Sequence, residues 1–222
     1  LDDLVGQTHG AGRFGYEEIA YLLISGRMPN AAELADFNAR IDSRRELPTG
    51  YLSLFPRTTE SSSIMNVLAR STLLLYAFDE NPDDTGAQHE VDVALSLLAR
   101  LPRIAAIAHE ASVSARDGEK LLVPPVRQGY SMAETVLDVL RGAEGFTREE
   151  AMMLDVMLML HAEHGGGNNS TFTCRVLSSS GTDAYSCYAA AMGSLKGPKH
   201  GGANAKVGAM IEDVASHVSR WD

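Results

Sequence analysis

The stretch LHAEHGGGNNSTFT, Leu160 to Thr173, decides how this chain folds. It closes the run Ala151 to Leu160, which is apolar except for Asp155, and it joins two helical patterns with no strand alternation between them. Gly165, Gly166 and Gly167 supply the left-handed backbone on which helices commonly end. Asn168, Asn169 and Ser170 are good N-cap types, so the next helix is expected over Thr171 to Ser180. His161 and His164 lie three residues apart, on one helix face and at the negative end of the helix dipole. The turn thereby sets imidazoles beside free backbone N–H groups, an arrangement suited to a carboxylate or phosphate. Two blander readings stand beside it. A zinc site would need further ligands, and the spacing is not the usual i, i+4 pair; or both histidines are ordinary satisfied interior side chains.

Outward from this stretch, every periodic segment predicts helix. Gly15 to Ser25 puts Ile19, Leu22 and Leu23 on one face, and Asn30 with Glu33 marks the start of another helix. Apolar residues recur at helical spacing through Ile64, Val67, Leu68, Leu74 and Leu75, and again from Val91 to Ala115. Ser131 with Glu134, and Thr147 with Glu150, form capping boxes in which side chain and backbone satisfy each other's orphaned donors. From Glu150 to Leu160 the pattern is apolar on nearly all sides, which predicts an enclosed helix whose histidine-bearing end is interior. The expected fold class is all-α, without a substantial β-sheet, internal repeats or linkers.

Composition narrows the function. With 222 residues, 45% of them hydrophobic, the chain can bury a large core. A formal charge of −10 argues against a nucleic-acid surface, which needs clustered cations to displace counterions from phosphates. No apolar run approaches the length of a membrane span, and no secretory signal is visible. Cys174 and Cys187 lie in helical patterns without a CxxC, so a reducing, cytoplasmic setting is expected and no chemistry is assigned to them. In DENPDDTGAQHE, Asp79, Asn81, Asp83 and Glu90 fall at calcium-loop positions, but Asp84 stands where that loop needs glycine and Pro82 stiffens the turn. A solvated interhelical connection is the favoured reading.

A second stretch tips the balance between the readings of the histidines. LKGPKHGGANAKV, Leu195 to Val207, places His200 between Gly-Pro and Gly-Gly, after a helical pattern over Ala184 to Leu195 and directly before another that begins near Gly202. At a helix N-terminus an imidazole tends to stay neutral and can donate a hydrogen bond to a carbonyl. That suits the polarisation of a thioester or ketone during enolisation.

Together, HAEHGGGNNST and KGPKHGGAN resemble the citrate synthase family, and the likeness extends through FGYEEIAYLLISGRMPN, RRELP, ARLPRIAAIAHEAS and SSSGTDAYSCYAAAMGSL. Glu163 stands where the family more often has Asp. The resemblance, to bacterial citrate and 2-methylcitrate synthases, implies a helical homodimer in which a large and a small domain close over oxaloacetate and acetyl-CoA, without a metal or a further cofactor. It assigns His200 to the acetyl thioester carbonyl, His164 to oxaloacetate, and His161 and Asn168 to supporting positions. It further implies that residues 1–201 are most of the large domain and 202–222 the start of the small one. The catalytic base, a third histidine and the substrate-binding arginines are then expected outside this sequence, and the chain alone is expected to be inactive. Two alternatives remain. A 2-methylcitrate synthase would use propionyl-CoA, since one methylene is worth only about 1–3 kcal/mol. A non-catalytic dimerisation module would use the small-residue face of Ala189 to Ala191, Gly193 and Ser194.

Overall fold

Asn30, Ser131 and Thr147 each accept a hydrogen bond from the backbone N–H three residues on, while Glu33, Glu134 and Glu150 reach back to the cap's own N–H. These local instructions start three of the ten α-helices among the described residues. The computed structural model describes residues 2–55, 63–117, 121, 123–142, 144–163 and 167–218. In chain order the helices are α1 (Asp2–His9), α2 (Tyr16–Ser25), α3 (Ala31–Asp42), α4 (Ile64–Leu74), α5 (Ala87–Asp117), α6 (Met132–Arg141), α7 (Arg148–His161), α8 (Asn169–Ser178), α9 (Ala184–Lys196) and α10 (Gly202–His217). Short 3-10 turns cover Tyr51–Ser53 and Leu75–Phe78, and no strand occurs among the described residues.

The 31-residue α5 is the beam on which the rest is hung. One side of it carries Val93, Leu97 and Ile104 into a cluster with Tyr51, Leu75, Ala184 and Tyr185. Another side carries Leu95 and Ala99 against Ala20, Phe37, Ile41 and Met132. Each fully buried Leu or Ile here contributes about 1.5–3 kcal/mol by leaving water. Pro102 stands inside α5, where it has no N–H to donate to the preceding turn.

Buried carboxylates lock three helices together at their ends. Asp155 of α7 accepts from Gly15 N at 2.7 Å and Tyr16 N at 3.1 Å, so it caps α2 from across the molecule. Glu17 of α2 in turn accepts from Met132 N at 2.6 Å, the first residue of α6. Gly15 must be glycine: a Cβ there would lie 2.6 Å from Thr8 Oγ1 and 2.9 Å from Met159 Sδ. The buried Arg45 ties α3 to α6 through Asp42, Thr135 Oγ1 and the Tyr130 carbonyl.

Two sequence expectations need correction. Leu23 is 48% exposed, because the buried residues of α2, Glu17, Glu18, Ile19 and Ala20, are its first turn rather than one stripe along its length. The helix α7 is not enclosed: Ala151, Met152, Asp155 and Met159 are buried, but Met153, Met157 and Leu160 form an exposed stripe at i, i+4 and i+7. Apolar residues on all sides of a helix require cover from somewhere, and within the described residues it comes from one side only. The acidic connection before α5 holds itself together. Asp79 accepts from Tyr185 Oη at 2.7 Å and from Asn81 N at 3.0 Å, Asp83 from Tyr76 Oη at 2.9 Å, and Asp84 from Gly86 N at 2.8 Å.

Candidate active site

Helix α8 begins two residues earlier than its sequence pattern predicts, because Asn168 rather than Ser170 takes the cap. Its Oδ1 accepts from Thr171 N at 2.7 Å. Ser170 is thereby left in the first turn with its hydroxyl free for another partner. That partner is His200, thirty residues on, whose Nε2 lies 2.9 Å from Ser170 Oγ.

His200 is held by a short connection between α9 and α10. Its own N–H donates to the Gly197 carbonyl at 2.9 Å, and Gly201 N donates to the Leu195 carbonyl at 3.0 Å. A Cβ on Gly201 would run into that same Leu195 carbonyl, so a glycine after His200 is a requirement of the turn. Gly202 opens α10, which leaves His200 two residues before a helix N-terminus, where backbone N–H groups favour developing negative charge.

The chemistry of the pair follows from hydrogen-bond valence. A neutral imidazole has one N–H and one lone pair. When the serine hydroxyl donates to Nε2, the proton of the ring sits on Nδ1, which then offers one N–H to a ligand. When Nε2 donates to the serine, Nδ1 is only an acceptor. The first arrangement makes His200 a hydrogen-bond donor to a carbonyl oxygen, half-buried and oriented from behind by Ser170.

The structure brings together only some of the residues picked out in the sequence. His200 meets Ser170, and Asn168 stands two residues before that serine at the cap of the same helix. His161 ends α7 with an exposed ring, and its Nδ1 donates to the Met157 carbonyl at 2.7 Å, so it is not interior as its apolar helix predicts. His164 lies outside the described residues. Among the described residues there is no cluster of three or more His, Cys, Asp or Glu side chains that could hold a metal ion. Cys174 and Cys187 are free thiols, both pushed up by burial.

Two features escape the sequence reading. Ser170 is one; its signal is that an N-cap taken by Asn168 frees a hydroxyl in the first turn. The other is charge. Of the four lysines in this acidic chain, three, Lys196, Lys199 and Lys206, flank His200, and all three are exposed. No helix among the described residues is long and apolar enough to cross a membrane.

A family model described as citrate synthase, C-terminal domain, matches residues 1–221. In sequence, the chain is 31% identical over 201 residues to a citrate synthase of Deinococcus radiodurans, covering 90% of this chain and 51% of that protein. It is 36% identical over 193 residues to 2-methylcitrate synthase 2 of Corynebacterium glutamicum, covering 85% and 49%. In structure it is similar to the citrate synthase of Thermotoga maritima, with a TM-score of 0.70 and 28% identity over 91% of this chain and 50% of that one. The chain thus spans about half the length of the relatives it matches.

Proposed function

Because the chain belongs to the citrate synthase family, we propose that it is part of an acyltransferase that condenses acetyl-CoA with oxaloacetate and hydrolyses the product to citrate and CoA. The observation that carries this reading is the Ser170–His200 pair ahead of α10. With Ser170 donating to Nε2, the Nδ1–H of His200 faces the thioester carbonyl. As a base removes the methyl proton, that hydrogen bond strengthens on the developing enolate oxygen, where such a donor lowers the barrier most. The enol carbon then attacks the ketone carbon of oxaloacetate, and water cleaves the thioester. His164 binds oxaloacetate, with His161 and Asn168 supporting it. Lys196, Lys199 and Lys206 give an acidic protein a local positive rim for the phosphates of CoA.

Acetyl-CoA is the substrate, and neither a metal nor another cofactor enters the scheme. Relatives of both kinds, citrate and 2-methylcitrate synthases, are comparably similar, so propionyl-CoA is the competing acyl donor; the ratio of turnover on the two thioesters in the complete protein separates them. We place residues 1–201 in the large domain and 202–222 at the start of the small one. The working unit is a homodimer in the cytoplasm, with no nucleic-acid or membrane partner. The exposed stripe Met153, Met157 and Leu160 on α7 and the exposed Phe172 and Val176 on α8 support an assembly that covers them. Free-thiol release from acetyl-CoA with oxaloacetate is expected to be absent for the 222-residue chain by itself, and turnover there would overturn this expectation.

The test is a pair of variants in the complete protein. His200→Ala lowers turnover by about a hundredfold or more with oxaloacetate binding retained, whereas His164→Ala weakens that binding. Calorimetric titration and free-thiol release measure both effects. Loss of oxaloacetate binding in His200→Ala, with His164→Ala unaffected, would overturn the assignment.

A further inference from the structure

The first turn of α8 reaches the end of α9 through side chains at two successive positions. Ser170 meets His200, and the residue before it, Asn169, donates from Nδ2 to Ser194 Oγ at 2.8 Å. Ser194 lies six residues before His200, and the peptide between them has little freedom. Gly197 N donates to the Ser194 carbonyl at 3.1 Å, Pro198 follows, His200 N returns to the Gly197 carbonyl, and Gly201 is pressed against Leu195. A shift of the α9 end relative to α8 is therefore passed to the imidazole rather than absorbed in the loop. Asn169 is likewise one residue from Ser170 on a capped helix turn, so its side chain and the serine hydroxyl move together.

We propose that Asn169 and Ser194 are a positioning pair for His200: their hydrogen bond sets the separation of the two helix ends at which the Ser170 hydroxyl can donate to Nε2. The proposal rests on the reading of His200 as the donor to the thioester carbonyl, because only then does its tautomer matter. Neither residue touches substrate. With the pair broken, the helix ends part slightly, the serine hydroxyl satisfies itself with water, and the ring no longer holds its proton on Nδ1 alone.

The experiment compares Asn169→Ala, Ser194→Ala, the double variant, and Ser194→Thr, which keeps the hydroxyl. The first readout is the pair of ring-nitrogen resonances of His200 in the 15N-labelled 222-residue chain, identified by their loss in His200→Asn. The expected result is a shift toward mixed tautomers in each alanine variant, no further shift in the double variant, and the wild-type pattern in Ser194→Thr, with circular dichroism unchanged in all four. The second readout, in the complete protein, is a fall in kcat of about two- to tenfold, the worth of one hydrogen bond, at constant KM for oxaloacetate. Unchanged His200 resonances in both alanine variants would overturn the proposal even in an active enzyme. If the complete wild-type protein does not condense the two substrates, the functional reading fails, and the resonances still decide whether the pair positions the ring.

Discussion

Glu17 is a carboxylate 9% exposed, with one oxygen committed to the first N–H of α6. Burial is the largest influence on it and pushes its pKa above the ordinary 4.5; the backbone N–H groups it accepts from oppose that shift without cancelling it. Asp155 is raised by the same cause. The sign of the consequence for stability is fixed by linkage. A folded state that holds the proton more tightly than the unfolded chain gains stability in acid, and loses it as pH rises through the raised folded value. Glu17→Gln keeps an oxygen for Met132 N and cannot ionise. Its stability should therefore fall less than wild type as pH rises above 4.5, and urea unfolding at a series of pH values would check it; parallel curves for the two proteins would contradict it. Little of this was legible in the sequence. Asp155 reads there as a lone interruption of an apolar run, because the backbone donors it serves are 140 residues away. Asn168 could be read, since its partner Thr171 is three residues on. His200 could be singled out by its glycines; Ser170 is marked only by its place in the first turn after the Asn168 cap, and its contact with His200 exists only once α8 and α9 pack side by side.

Signals carried by residues a few positions apart in a helix are legible in the sequence, whereas the surroundings of that helix are not. The capping boxes at Asn30, Ser131 and Thr147 involve residues three apart, so sequence spacing and structure agree. Thr147→Ala should cost about 1 kcal/mol by leaving Glu150 N without its acceptor, read as a lower urea midpoint at unchanged slope. An unchanged midpoint would mean that solvent replaces the cap at no cost. The misreading of α7 has a different origin. Periodicity reports which side chains need cover, not what supplies it, and the Met153, Met157 and Leu160 stripe has the same pattern whether a neighbouring helix or a second chain lies over it. Leu23 shows the same limit: helical spacing puts it on one face with Ile19, yet it is 48% exposed where Ile19 is buried.

Helix α5 divides the core into two clusters, and a considerable apolar surface stays open among the described residues. On α10, Val207, Met210, Ile211 and Val214 are all 38% exposed or more, at helical spacing, which adds to the uncovered residues of α7 and α8. Surface of this kind, if paired with its own copy, makes association steep in concentration. Sedimentation of the chain should show a dimer, and Phe172→Glu, placed at a site 62% exposed, should return it to monomer without loss of helix content. A monomeric wild type would remove the argument for self-association through this face. The cap that Asp155 places on α2 also bears on how the polypeptide is made. Chains emerge from the ribosome at about 5–20 residues per second, so the donors of Gly15 and Tyr16 wait roughly 7–30 s for a carboxylate 140 residues behind them. During that interval the second helix has no acceptor for its leading amides other than water, and the sixth has no Glu17 in place to receive it. The segment around α2 is thus built early but finished late, and during this delay it is open to proteases and chaperones.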